Sequence, residues 1–235
     1  MLHKTKGIAL HYYKYSESSV IAKIFTKNFG LQSIIINSVR QKKAKSKLGL
    51  LQPFTLLDLG FIRRPKSGLK RLKEITNSKP LIRITNDINR RLLAVFFSEI
   101  LLKVLIEDEK EELLFSFIAK TVSELEEKEC LLATYPLSFL LNLTYFLGFY
   151  PSKENSDLPF FDLLNGLFSV TETKHSHFIS GTDLHNFKSL LLELKIDLTY
   201  QDRKALLLIL LDYFKLHHYE LKNLKSHIVI EQLHA

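Results

Sequence analysis

The sequence predicts an α+β, multidomain chain: a five-stranded N-terminal β-barrel over residues 1–80, then a mainly α-helical domain over residues 81–235 with a small β-hairpin insertion at 152–180. Three observations point there. Up to residue 80, short runs rich in β-branched and aromatic residues alternate with turn chemistry. From Asn86, apolar residues recur at helical spacing instead. Charge divides near the same place: residues 1–80 hold 17 Lys or Arg against 3 Asp or Glu, a net +14, and residues 81–235 hold 16 against 22, a net −6. Such a split suits a basic module that meets a polyanion, joined to a module with another task.

The five strands are read in order. Gly7 to Tyr13 and Ser19 to Thr26 are joined by the polar link Tyr15 to Ser18. Asn28-Phe29-Gly30 supplies a turn, and Leu31 to Val39 follows, strongly β-like through Ile34, Ile35 and Ile36. After a basic loop come Pro53 to Ile62 and Leu69 to Ile75, joined by a link whose Pro65 and Gly68 mark a turn. Five short strands with basic links fit an OB-fold, which binds oligonucleotides on strands 2 and 3 and along the loops joining strands 1–2 and 4–5. An SH3-like barrel has a similar strand count, and pattern alone leaves that choice open.

The chemistry of this segment is electrostatic. Arg40, Lys42, Lys43, Lys45 and Lys47 form one cluster, and Arg63, Arg64, Lys66, Lys70, Arg71 and Lys73 form a second. Such groups attract phosphates without reading bases. Tyr12, Tyr13, Tyr15, Phe25, Phe29, Phe54 and Phe61 are interleaved with them. Most of these rings are expected in the barrel core, but neighbouring strand residues point to opposite faces, so one of Tyr12 and Tyr13 is a candidate for stacking on a base. An RNA-binding module, or an adaptor whose basic barrel meets an acidic protein, fits the same composition. Charge does not separate them.

In the second part, Asn86 or Asp87 caps a helix running to about Ile106, and residues 110–126 repeat the pattern. Thr134 caps a third helix that has Pro136 in its first turn and ends at Gly148 and Pro151. Residues 152–180 lose the periodicity, and Phe160 to Leu163 with Gly166 to Val170 suggest the hairpin. Helices resume near Asp183 and from Asp202 to His217. The acidic clusters Glu107 to Glu112 and Glu124 to Glu129 read as solvated faces, or as groups that confine DNA to the N-terminal half by repulsion.

Catalytic chemistry finds no foothold. No phosphate-binding glycine loop, metal-ligand motif or nucleophile elbow is present, so no catalytic residue and no cofactor are assigned. The single cysteine, Cys130, reads as structural. His217-His218 reads as a cation at a helix C-terminus. The N-terminus lacks the apolar stretch of a signal peptide, and the longest apolar run, Ala205 to Leu211, is far short of a membrane span. A soluble cytoplasmic protein is expected.

Several segments then resemble one family. The opening Gly7-Ile8 to Tyr15-Ser16-Glu17-Ser18-Ser19, Ile24-Phe25-Thr26, Gly30-Leu31-Gln32-Ser33 and Leu51-Gln52-Pro53-Phe54 after the lysine-rich loop resemble RecO recombination mediators. So do Tyr145-Phe146-Leu147-Gly148-Phe149-Tyr150-Pro151, Phe161-Asp162 with Gly166-Leu167-Phe168, and Tyr213-Phe214-Lys215-Leu216-His217, all in the family's order. The resemblance implies an OB-fold followed by a helical domain. It also implies a non-enzymatic role: binding single- and double-stranded DNA, annealing complementary strands, and working at the nucleoid with RecR to load RecA. A further implied partner is the single-stranded-DNA-binding protein, recognised through its acidic tail. Many members carry a four-cysteine zinc site after the segment matching Gly148 to Pro151. Here 152–180 has no cysteine, His175 and His177 alone make a weak site, and the zinc-free branch is the better match, with no metal assigned.

Overall fold

In the computed structural model of the chain, the residues described are 1–37, 48–63, 70–127, 133–195, 197–221, 224 and 226. They form two compact units, Met1–Cys130 and Leu131–Ala235. The charge division at residue 80 therefore falls inside the first unit, which also holds the first three helices.

Five strands build the barrel: β1 (Leu2–Lys14), β2 (Val20–Thr26), β3 (Gly30–Ile36), β4 (Leu56–Arg63) and β5 (Lys70–Asn77). They close in the order β1-β2-β3-β5-β4, with β3 and β5 parallel and β4 returning antiparallel onto β1. This is the OB-fold, so strand order decides what strand count left open. β1 is longer than its apolar run because it serves two neighbours. Leu2–Ile8 pairs with β4 and Gly7–Lys14 with β2. The interior is filled by one alternating set: Ala9, Val20, Ala22, Ile24, Ile34, Ile36, Leu57, Leu59 and Phe61. The register slips between Ala9 and His11, a bulge that leaves Leu10 buried beside Ala9 and turns His11 and Tyr13 outward.

Three helices complete the unit: α1 (Ile82–Asn86), α2 (Ile88–Val104) and α3 (Glu112–Glu127). Of the two candidate caps, Asp87 caps α2, its carboxylate accepting from the amides of Asn89 and Arg90 at 2.8 and 3.2 Å. The α1 turn has no periodicity to announce it; Glu126 of α3 supplies its N-terminal acceptor, taking the amides of Ile82, Arg83 and Ile84 at 2.8–3.0 Å. Glu126 is thus a cap rather than part of a solvated face. Phe97 of α2 packs on Phe54, and Phe115 of α3 on Phe25 of β2. Cys130 and Glu129 lie outside the described residues.

The second unit contains α4 (Tyr135–Phe146), strands β6 (Phe160–Asp162), β7 (Leu167–Ser169) and β8 (Phe178–Ser180), then α5 (Gly181–Leu191) and α6 (Tyr200–Leu216). Gly148 ends α4 as expected, at φ +85° with its amide and that of Phe149 returning to Tyr145 and Thr144. The expected hairpin is β6–β7, but a third strand, β8, lies on the other side of β6. Three residues in each strand are too few for alternation to show. α6 begins earlier than Asp202 because Thr199 and Asp202 form a capping box. Phe161, Phe187, Tyr213 and Phe214 are fully buried, and the Tyr213 hydroxyl donates to the Phe149 carbonyl at 2.9 Å. Replacing Asp87 by Ala removes the α2 cap and is expected to destabilise the chain by about 1 kcal/mol, read as a lower urea midpoint at unchanged slope.

Candidate nucleic-acid interface

Register places the outer face of the barrel residue by residue. Tyr13 pairs with Ile21, Ile21 with Ile35, and Ile35 with Arg71, so these four side chains form one row across β1, β2, β3 and β5. Directly paired residues share a face, and the interior belongs to the intervening residues. Tyr13 is 49% exposed, Arg71 is exposed, and the His11 ring meets Tyr13 edge-on at 4.5 Å. Tyr12 turns the other way and packs against the barrel core. Of the two tyrosines, only Tyr13 presents its ring on this outer row.

The row lies at the rim from which the links leave. Lys14 pairs with Val20 and Val20 with Ile36, so the β1–β2 link and the end of β3 meet there. Arg63 and Lys70, the ends of β4 and β5, pair with each other beside them. Tyr15, 56% exposed, stands on the β1–β2 link. Arg40, Lys42, Lys43, Lys45, Lys47, Arg64 and Lys66 lie outside the described residues, and of Arg63 only the backbone is described. Lys73 is exposed on β5.

Lys70, unlike Arg71 and Lys73, is buried. It is 3% exposed, and its ammonium sits 2.5 Å from the carboxylate of Asp108, which also accepts from the buried amide of Gln32 at 3.1 Å. A phosphate would have to displace that carboxylate, so the contact available to Lys70 here is structural. The acid comes from the segment that follows α2. There Leu31 pairs with Glu107 in a parallel bridge, and the Asp108 amide donates to the Leu31 carbonyl at 3.1 Å. Gly30, at φ +66°, admits this approach: a Cβ there would lie 1.8 Å from the Glu109 carbonyl oxygen. Glu107 accepts from Lys23 and from Ser33, and Glu112 pairs with Lys27 at 3.2 Å. The cluster Glu107 to Glu112 is therefore docked along β3 rather than free in solvent. Sequence offered one hint of this, the paired surplus of acids and barrel lysines, but not their partners.

The comparisons with known proteins agree with the fold. Residues 1–80 match the family described as Recombination protein O N terminal. The DNA repair protein RecO of Flavobacterium psychrophilum is 34% identical and that of Flavobacterium johnsoniae 31%, each over 98% of both chains. The chain belongs to the RecO family. Another member, the DNA repair protein RecO of Phocaeicola vulgatus, is 30% identical over 99% of both chains.

In this RecO-family chain the second unit sets the His175 and His177 rings 6.0 Å apart, each facing a different carboxylate. His175 faces Asp162 at 3.6 Å and His177 faces Asp212 at 3.8 Å. Among the described residues, no cluster of three or more His, Cys, Asp or Glu is placed to hold a metal ion. His217 stands at the C-cap of α6, as its reading at a helix end requires. Burial pushes its pKa down, against a contact to the Leu163 carbonyl at 3.2 Å that opposes the shift, and the neighbouring His218 adds to the fall. No described helix is long and apolar enough to cross a membrane.

Burial raises the Glu107 pKa, but hydrogen bonds from Lys23 and Ser33 and the charges of Lys23 and Lys70 outweigh it, leaving the carboxyl below its ordinary value. A depressed carboxylate stabilises the fold above the unfolded-state value of about 4.3, and that contribution is lost as pH falls through the lower folded value. Hydrogen-exchange protection of the Asp108 amide is expected to fall as pH drops below roughly 4. Glu107→Gln should show a smaller fall over the same window, since only the remaining acids titrate.

Proposed function

We propose that this chain acts in DNA repair and homologous recombination as a non-enzymatic mediator, holding single-stranded DNA across the row Tyr13–Ile21–Ile35–Arg71. One observation carries the reading: the outer face of an OB barrel presents an aromatic ring, two aliphatic side chains and a guanidinium in register, at the rim that emits both basic links. Stacking on Tyr13 is sequence-tolerant because every base has a π-face, and the cations track the phosphates. The link residues Arg40, Lys42, Lys43, Lys45 and Lys47, with Arg63, Arg64 and Lys66, are assigned to further phosphate contacts on their sequence and charge alone. Double-stranded DNA engages the same cations through its backbone.

Annealing follows from charge. Two single strands repel, and a surface that neutralises phosphates while leaving base edges accessible lowers that barrier. Family membership and the names of the relatives support the repair role. The resemblance in the sequence supports RecR and the acidic tail of the single-stranded-DNA-binding protein as partners, with RecA loading as the outcome.

The test is fluorescence anisotropy of a labelled single-stranded oligonucleotide at several salt concentrations. If about five phosphates are neutralised, affinity falls by roughly two decades between 50 and 200 mM salt. Tyr13→Ala is expected to cost about 1–3 kcal/mol of binding. Replacing Lys42, Lys43, Lys45 and Lys47 together by Glu should abolish annealing at an unchanged melting midpoint. Absence of binding at 50 mM salt overturns the reading, and stronger competition by structured RNA than by single-stranded DNA turns it toward RNA.

A further inference from the structure

On the outer face, one row below Tyr13–Ile21–Ile35–Arg71, His11 pairs with Lys23 and Lys23 with Ser33. The Lys23 ammonium and the Ser33 hydroxyl both donate to one carboxylate oxygen of Glu107. An ammonium and a hydroxyl converging on one oxyanion are the donor set that takes a phosphate oxygen. The structure assigns here a phosphate subsite, Lys23 Nζ with Ser33 Oγ, that the chain fills with its own Glu107 carboxylate. It rests on the outer-face reading above and extends it: the ligand is a backbone phosphate of the same single strand.

The placement makes the carboxylate displaceable. Asp108 anchors the acidic segment, through Gln32, Lys70 and the Leu31 carbonyl, without help from Glu107. Glu107 is the segment's last acid toward the open row, and its side chain is 44% exposed, against 25% for Lys23. A strand lying on Tyr13 and Arg71 thus meets a carboxylate at the next row, and its footprint stops there. Losing that charge extends the footprint by one phosphate. The neighbouring acids supply the control. Lys23 is paired with Glu107, and among the described ion pairs neither Glu109 nor Glu111 is a partner of Lys23.

The experiment is the salt-dependent anisotropy titration on four full-length proteins: the parent, Glu107→Gln, the double variant Lys23→Gln/Glu107→Gln, and Glu109→Gln/Glu111→Gln. Glu107→Gln is expected to bind single-stranded DNA several-fold more tightly at 50 mM salt. Its salt slope should steepen by roughly 0.7, the increment for one phosphate on a single strand, so the advantage shrinks about 2.6-fold by 200 mM. The double variant should lose the gain, and the Glu109/Glu111 variant should show none. If Glu107→Gln lowers the melting midpoint enough to disturb the titration, Glu107→Asp replaces it. That change keeps the charge but shortens its reach, and part of the gain is expected. A gain that survives loss of Lys23, or equal gains from all the acid variants, means general repulsion and overturns the subsite. A parent that binds while Glu107→Gln matches it in affinity and slope overturns the subsite alone. If neither binds, both readings fall.

Discussion

The carboxylate of Asp108 closes the barrel. β3 and β5 share two described pairs, Ile34 with Lys70 and Ile35 with Arg71, and the start of β3 at Gly30–Leu31 turns instead to the chain leaving α2. Two polar side chains are buried at this seam, the amide of Gln32 and the ammonium of Lys70. A buried donor without an acceptor is costly, and a buried ammonium without a counter-charge more so. Asp108 pairs with Lys70 and adds to the Phe29 and Leu31 carbonyls that already accept from Gln32, in a left-handed backbone conformation (φ +64°) that an aspartate tolerates better than most residues. That one contact fixes the course of the chain from Val104 to Glu112. It also sets where Glu107 and Glu112 fall on the lysines of β2 and the β2–β3 turn.

From this follows the division of the outer face. Toward the β2–β3 turn it is covered, with Phe25 under Phe115 and Leu31 under the acidic segment. Toward the other rim it is open, because the bulge beside Leu10 brings His11 and Tyr13 out. A barrel this small cannot bury both faces of every strand. The helices take the half that the bulge leaves apolar, and the other half keeps a ring and a guanidinium in water.

Much of this was legible in the sequence, and the rest was hidden for one kind of reason. All five barrel strands showed as β-branched runs between turns, and α2, α3 and α4 as 3.6-residue periods with a cap at Asp87; Thr134 stands at the start of α4, but its side chain makes no cap hydrogen bond. What failed was anything decided by a partner distant in the chain. The acid that makes Lys70 structural stands 38 residues away, and the strand that completes the small sheet, β8, pairs across a loop with β6. Glu126 reads as a surface acid until α1 is found beneath it. The opposed orientations of Tyr12 and Tyr13 were foreseeable from strand alternation, but not which faced out, because the bulge shifts the phase three residues earlier.

The charge division also means something different once the partners are known. A net +14 over residues 1–80 reads as a uniformly basic barrel, yet Lys23, Lys27, Lys70 and Lys79 each meet an acid between Glu107 and Glu127. Those acids belong to the segment whose net charge is −6. Four lysines of the first segment are thus paired with acids of the second inside one compact unit, on the side of the barrel that packs against the helices. The uncancelled field is therefore narrower than the composition implies. Among the described barrel residues, Lys6, Lys14, Arg71 and Lys73 are exposed with no acidic partner among the described ion pairs, and three of these four, Lys14, Arg71 and Lys73, stand on the side of the open row.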